Sequence, residues 1–442
     1  MCRWIVPPLL LLFASSVSAA DFLQIYRDAL ANDPVYASAR AARDAGLENL
    51  PQGLAPLLPN ISATGFTQYS NVNIAFRGAA PDQNRKGNSN GYTVTLTQPV
   101  FNWQSIQVYK EAGFKAAQAE ATFGQATQDL ILRVAQAYFD VLASQDSLAF
   151  IQAQKVAISE QLAQAKRNFE VGTATITDTH EAQARYDLAT SQEIAAQSDL
   201  EIKRRTLQQI TGKYPDRLDP MRPKIDLNPP KPNMMEEWAA AAESQSYPVR
   251  AQEATLEIAT REIERNRAGH LPTLSIVGNA VQNSSALNVT ALVNTGQDST
   301  NNNIALQLSV PLYAGGNVSS LVRQAIANRE KAQQDLESSR RTSALSARQA
   351  YVGVTNGIAQ VKALEAALVS SESALDSNKL GYEVGVRINI DVLNAQQQVY
   401  STLRDLSQAR YNTVINGLKL KAAAGTLTDA DVEDVNRLLG SN

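Results

Sequence analysis

One fifteen-residue pattern is written twice in this chain. FEVGTATITDTHEAQ at residues 169–183 returns as YEVGVRINIDVLNAQ at 382–396. Phe169 aligns with Tyr382, Glu170 with Glu383, Val171 and Gly172 with Val384 and Gly385, and Asp178 with Asp391, all at an offset of 213 residues. The same offset relates Leu58 and Pro59 to Leu271 and Pro272, Ser62 and Gly65 to Ser275 and Gly278, and Gln136, Ala137 and Tyr138 to Gln349, Ala350 and Tyr351. Gly212 pairs with Gly425 in the same way, and Pro99, Val100 and Phe101 match Pro311, Leu312 and Tyr313 with a slip of one residue. A constant offset over separated matches marks tandem duplication, so each half must fold into the same unit. The expected repeats are 21–212 and 236–425, joined by a Pro-rich linker at 213–235 and followed by a tail at 426–442.

Proline placement says where each repeat is helical. Of 17 prolines, none lies between Pro99 and Pro215 and none follows Pro311. Proline inside a helix costs about 3 kcal/mol, so long helices are confined to these stretches. Both stretches are rich in Ala, Gln, Leu, Glu, Lys and Arg, which predicts helical hairpins over 103–211 and 316–424. A helix from Trp103 to Phe169 would run roughly 100 Å at ~1.5 Å per residue. Its seam, Ala137, Val141, Ser144, Leu148, Ile151, Lys155, Ile158, Leu162, Ala165 and Phe169, alternates steps of four and three as a coiled coil does. Gly172 and Gly385 suit the left-handed position that ends a helix. Asp178 and Asp391 then open the returning helices. Asp178, with Glu181 three residues on, reads as an N-cap with a capping-box partner, and Asp391 is equally placed to cap.

The strand signals lie at the other end of the rods. Residues 92–97 (YTVTLT) and 304–310 (IALQLSV) alternate apolar with polar or small side chains. Their partners at 61–69 and 274–282 alternate less cleanly. The expected strands are about 59–70, 91–101, 272–282 and 303–313, with one helix before each pair and long polar loops over 70–90 and 283–303. Strands of this length with polar connections are the signature of an outer-membrane barrel. Four of them cannot close a cylinder, and open edges in lipid would strand backbone groups at several kcal/mol each. Strands that meet lipid therefore require a homo-oligomer.

The start of the chain, MCRWIVPPLLLLFASSVSAA, reads as a signal peptide over 1–20: Arg3, a short apolar run, then small residues that place cleavage after Ala19 or Ala20. The only cysteine, Cys2, leaves with it, so no disulfide or thiol chemistry is expected. With 40 Lys and Arg against 43 Asp and Glu, no nucleic-acid partner is expected either. Two histidines, His180 and His270, and no phosphate-binding loop leave no catalytic, metal or cofactor set, so the chain is not expected to be an enzyme.

The tip pair FEVG…ITD and YEVG…IDVL, with RYNTVINGLKLKAAAGTL at 410–427, resembles the TolC family of outer-membrane efflux and type I secretion channels. The resemblance covers almost the whole chain after the signal peptide. It implies a mixed α and β membrane protein: a trimeric, twelve-stranded outer-membrane β-barrel, four strands per protomer, continued by a long periplasmic α-helical barrel with the linker at its equator. The implied function is a passive exit duct of a tripartite efflux or type I secretion system, opened when its inner hairpins untwist. The implied partners are a homotrimer, a periplasmic adaptor, outer-membrane lipid and an inner-membrane transporter of RND, ABC or MFS type. By resemblance, Tyr382 and Arg387 reach Thr177 and Asp178 as a gate latch. Asp391 and Asn394 line the pore constriction, where the best-known members carry a second aspartate in place of Asn394. The turns Val171, Gly172, Thr173 and Val384, Gly385, Val386 match the adaptor-docking points. Two other classes stay open: a periplasmic adaptor, with one hairpin and a lipoyl-like domain but no duplication, and a coiled-coil structural surface protein.

Overall fold

The computed structural model describes residues 21–77, 81–173, 175–215, 217–223, 225–287 and 295–440; the signal peptide and its cleavage site lie outside the described residues. These form two compact units. One takes the chain up to Ala39, Gln125–Ser246 and Thr342 onward; the other takes Arg40–Gly124 and Tyr247–Arg341.

The second unit holds one antiparallel sheet in chain order: β1 (Asn60–Ile74), β2 (Gln83–Phe101), β3 (Thr273–Ser285) and β4 (Gln297–Ser309). Residues opposite one another across an antiparallel ladder share a face. Ile61 pairs with Leu96, Leu96 with Gly278 and Gly278 with Ile304; Ala63, Val94 and Ala280 follow on the same face. Ile276 with Leu306 and Leu274 with Leu308 complete a continuous apolar surface. The opposite face carries Ser62, Thr95, Thr97, Asn279 and Asn303, with Thr95 Oγ1 donating to Asn279 Oδ1 at 3.0 Å and Asn279 Nδ2 to Asn303 Oδ1 at 3.1 Å. The duplication thus yields a sheet that is greasy on one side and wet on the other.

The sheet corrects two expectations. Most of the polar loops expected at 70–90 and 283–303 is strand: β1 and β2 stay paired to Ile74 opposite Gln83, and β3 and β4 to Ser285 opposite Gln297. Ladder bonds join backbone groups, so residues polar on both faces continue a strand wherever both faces meet water. At the other end β4 stops at Ser309, so Val310, Leu312 and Tyr313 lie beyond it. Helices of the same unit are tied by ion pairs: the buried Glu111 of α4 (Trp103–Glu170) lies 2.8 Å from Lys115 and 3.1 Å from Arg265 of α7 (Tyr247–Arg267).

Where one helix was expected before each strand pair, there are several. In the first repeat α1 (Phe22–Asn32), α2 (Pro34–Leu47) and α3 (Asn49–Leu54) precede β1; in the second, α6 (Met235–Gln245) and α7 precede β3. Proline fits the first helical turn, where an N–H has no partner anyway. Pro34 and Pro248 sit there and break what would otherwise continue. Asp33 closes α1 through its N–H to Ala29 O at 2.8 Å, and its carboxylate accepts the Tyr36 N–H of α2 at 2.9 Å.

The first unit is helical. α4 returns through α5 (Ile176–Thr211), and α8 (Asn317–Glu383) through α9 (Asn389–Ala423). Seam residues Ala137, Val141, Ser144, Ile158, Leu162 and Ala165 are buried, whereas Phe169, at the tip, is 44% exposed. Within the mainly aliphatic core lies an aromatic cluster: Phe22 meets Tyr138 edge-on at 5.3 Å, and Phe139 stacks on Tyr411 at 5.5 Å. Tyr138 donates to Asp219 O at 2.9 Å, which draws the Pro-rich linker onto this core and buries Leu218. The linker is therefore only partly exposed. The tail carries α10 (Asp429–Arg437), whose Val432 and Val435 complete the same core.

Candidate functional site

The two hairpin tips close by one device. Gly172 and Gly385 have φ of 77° and 78°, where a side chain is strained. The following N–H groups reach back to the last helical turn, Thr173 to Asn168 O at 2.8 Å and Val386 to Gly381 O at 2.9 Å, which satisfies orphan carbonyls at each helix end. Around these turns lie exposed apolar side chains, Val171 and Ile176 at the first tip and Val384, Val386 and Ile388 at the second.

The returning helices start differently. α5 is capped by Thr175, whose Oγ1 accepts the Asp178 N–H at 3.3 Å while Asp178 Oδ2 accepts the Thr175 N–H at 2.9 Å. Asp178 is thus the third helical residue of a capping box, not the cap, because Ile176 and Thr177 already lie in the helix. α9 starts after Ile388, which offers no side-chain acceptor, and Asp391 caps nothing. Asp391 Oδ2 instead lies 3.8 Å from Arg387 Nη1.

Within one chain the expected latch residues make other contacts. Tyr382 does not bond Asp178; its hydroxyl accepts from Asn168 Nδ2 at 3.1 Å, joining α8 to α4. Arg387 faces Asp391 of its own tip rather than Thr177 or Asp178, and Thr177 is exposed. One residue that sequence reasoning missed joins the hairpins: Arg185 of α5 donates through Nη1 to Gln397 Oε1 at 2.7 Å and through Nη2 to Asn394 Oδ1 at 2.9 Å on α9. A signal was present. Arg185 follows Asp178 by two helical turns, and Asn394 and Gln397 follow Asp391 by about one and two turns, so paired tips put these positions at one level.

The tip is also imperfectly satisfied. Asn389, the first residue of α9, is 3% exposed, yet neither atom of its amide has a hydrogen-bond partner among the described residues. Gln396 Oε1 and Thr179 Oγ1 share this condition. A buried polar atom left unpaired costs about 1–3 kcal/mol. Asn389→Val is expected to raise the thermal midpoint of the detergent-solubilised protein, by the equivalent of about 1 kcal/mol after some overpacking. A lowered midpoint would show that the amide finds a partner in solution.

Among the described residues no group of three or more His, Cys, Asp or Glu is placed to hold a metal ion, and no helix is long and apolar enough to cross a membrane.

Comparison with known proteins agrees with this architecture. The outer membrane efflux protein family matches the chain twice, over residues 25–213 and 238–426. Outer membrane protein TolC of Vibrio cholerae serotype O1 is 34% identical over 423 residues, 96% of this chain and 94% of that protein. Outer membrane protein TolC of Escherichia coli K12 is 32% identical over 436 residues, 97% and 86% of the two chains. Among solved structures, the Campylobacter jejuni CmeC outer membrane channel superposes with a TM-score of 0.80 over 94% of this chain and 89% of that one, at 16% identity.

Proposed function

The chain belongs to the outer membrane efflux protein family, as an outer-membrane channel of a tripartite efflux or secretion system with its helical part in the periplasm, and on that premise we propose that it works as a homotrimeric duct gated at the hairpin tips. It is a transport protein, not an enzyme, and the rival readings as an adaptor or a structural surface protein give way to the family assignment.

The observation that carries the trimer is the sheet. β1 and β4 are its edges, 15 and 13 residues long, and neither has a second partner strand among the described residues. In hydrocarbon, each unpaired N–H or C=O along those edges would cost several kcal/mol. The apolar face holding Ile61, Leu96, Ile276, Ile304, Leu306 and Leu308 suits lipid, and the face of Ser, Thr and Asn suits a watery lumen. Three copies joined edge to edge give a closed barrel of ordinary size with no free edge.

The tips serve as the gate. The hydrogen bond between Tyr382 and Asn168 holds the second hairpin against the first, and Asp391 and Asn394 line the constriction. A periplasmic adaptor docks on Val171, Gly172, Thr173, Val384, Gly385 and Val386, where exposed apolar side chains favour a partner. The adaptor competes with the closed arrangement and lets the inner hairpins straighten. An inner-membrane transporter supplies the energy.

Fractionation tests the reading directly. The protein is expected in outer membranes, extractable only with detergent, with a particle mass of three protomers and discrete single-channel conductance in planar bilayers. A water-soluble, monodisperse single copy would overturn it.

A further inference from the structure

We propose that Arg185 sets the charge of the periplasmic constriction, holding a guanidinium against Asn394 beside the Asp391 carboxylate; the inference deepens the channel reading and rests on Asp391 and Asn394 lining the pore. Both acceptors of Arg185, Asn394 Oδ1 at 2.9 Å and Gln397 Oε1 at 2.7 Å, are neutral amides. Among the described residues no carboxylate lies within ion-pair distance of Arg185, unlike Arg133, Arg265, Arg348 and Arg410, each of which has one. The guanidinium is thus fixed in place at two points while its charge stays uncancelled. Arginine suits this task because its charge persists at every physiological pH and its planar fork holds two acceptors at once.

Asn394 follows Asp391 by about one turn of α9. The arginine charge therefore stands within roughly one Debye length of the Asp391 carboxylate in physiological salt. Arg387, 3.8 Å from the same carboxylate, adds to it. An aspartate at position 394 would form an ion pair with Arg185 and leave Asp391 without that offset. With asparagine there, Arg185 instead offsets Asp391. Counting Asp391, Arg185 and Arg387, the constriction built by this chain carries no net negative charge, where the lone aspartate by itself would make it attract cations.

Reversal potentials across planar bilayers under a KCl gradient, with spermidine block as a second readout, test this. Arg185→Gln is expected to make the channel more cation-selective and to lower the half-blocking spermidine concentration about tenfold, the size of removing three nearby positive charges from the path of a trivalent cation. Arg185→Lys, which keeps the charge, should behave like the parent. Asn394→Asp should raise cation selectivity, because the new carboxylate pairs with Arg185 and leaves Asp391 without that offset, and combining it with Arg185→Gln should raise selectivity further. Arg185→Met supplies a second neutral replacement should Arg185→Gln fail to assemble. Asp391→Asn supplies the control on the underlying reading and should lower cation selectivity. If Asp391→Asn acts but Arg185→Gln does not, the arginine inference fails and the constriction reading stands. If neither Asp391→Asn nor Arg185→Gln moves the reversal potential, the constriction lies elsewhere and both fail.

Discussion

Channels carrying Tyr382→Phe are expected to open far more often at rest than the parent. The Tyr382 hydroxyl accepts from Asn168 Nδ2 at 3.1 Å, and it is the hydrogen bond by which α8 of the second hairpin holds α4 of the first at the tip. Losing one such bond is worth about 1 kcal/mol. In a trimer whose three gates move together the loss triples, and about 3 kcal/mol corresponds to roughly a hundredfold change in the ratio of open to closed channels. Asn168→Ala should reproduce the effect, and the double variant should add nothing, since either change removes the same bond. Arg387→Ser should add little to opening, because its ion pair with Asp391 lies within one tip and is largely exposed. Single-channel recording in planar bilayers decides it. Parental conductance for Tyr382→Phe, or additive effects of Tyr382 and Asn168, would reject the latch.

Arg133→Ala is expected to destabilise the helical unit by roughly 2–3 kcal/mol. Asp33 is 3% exposed, and its two carboxylate oxygens accept from Arg133 at 2.7 and 3.3 Å. Removing the arginine leaves a buried carboxylate without its cation; the loss falls below that of a fully buried pair because the Arg133 side chain is 36% exposed. Burial pushes the Asp33 carboxyl up, but the Arg133 bonds and the Tyr36 N–H outweigh it and hold its pKa below the ordinary carboxylate value. The sign follows. A folded-state pKa below the unfolded one contributes stability above the unfolded pKa, near 4, and loses it as pH falls through the folded value. Asp146 works the other way. Burial raises its pKa despite hydrogen bonds from Tyr411 and Ser407, so its ionised form is a cost at neutral pH that acid relieves. Melting curves of parent, Arg133→Ala and Asp33→Asn between pH 3 and 7 separate the two carboxylates. Asp33→Asn should flatten the acid loss; an unchanged loss would assign it to other groups.

The tips show how far local chemistry could be followed from sequence. The turn glycines were legible because a helix that reverses within five residues requires a left-handed position. The cap of α5 was displaced by one turn because Thr175 competes with Asp178 for the same role, and threonine before the helix with aspartate three residues on makes a reciprocal pair that Asp178 as cap cannot. The partners of Tyr382 and Arg185 were out of reach, because both bonds join residues more than 200 positions apart. The strands run beyond their periodic stretches for a different reason. Periodicity reports where a strand has one apolar face, and the outer halves of β1, β2, β3 and β4 have none.

The duplicated halves mark the boundary between what the chain's letters determine and what packing decides. Repetition, proline-free stretches and paired glycines dictate two copies of one plan: strands, a long helix, a tight reversal and a returning helix. They do so because backbone conformation is a local property, set by each residue and its neighbours. Burial is not local. Tyr138 is buried against Phe22 and Phe139 in the main core, while its duplicate Tyr351 is only partly buried and bonds Asn233 in the linker. Asn389 is sealed from solvent without a partner, while its counterpart Ile176 is 46% exposed. The same position in two copies meets different neighbours, and only the assembled helices decide which hydrogen bonds are made and which charges go unanswered.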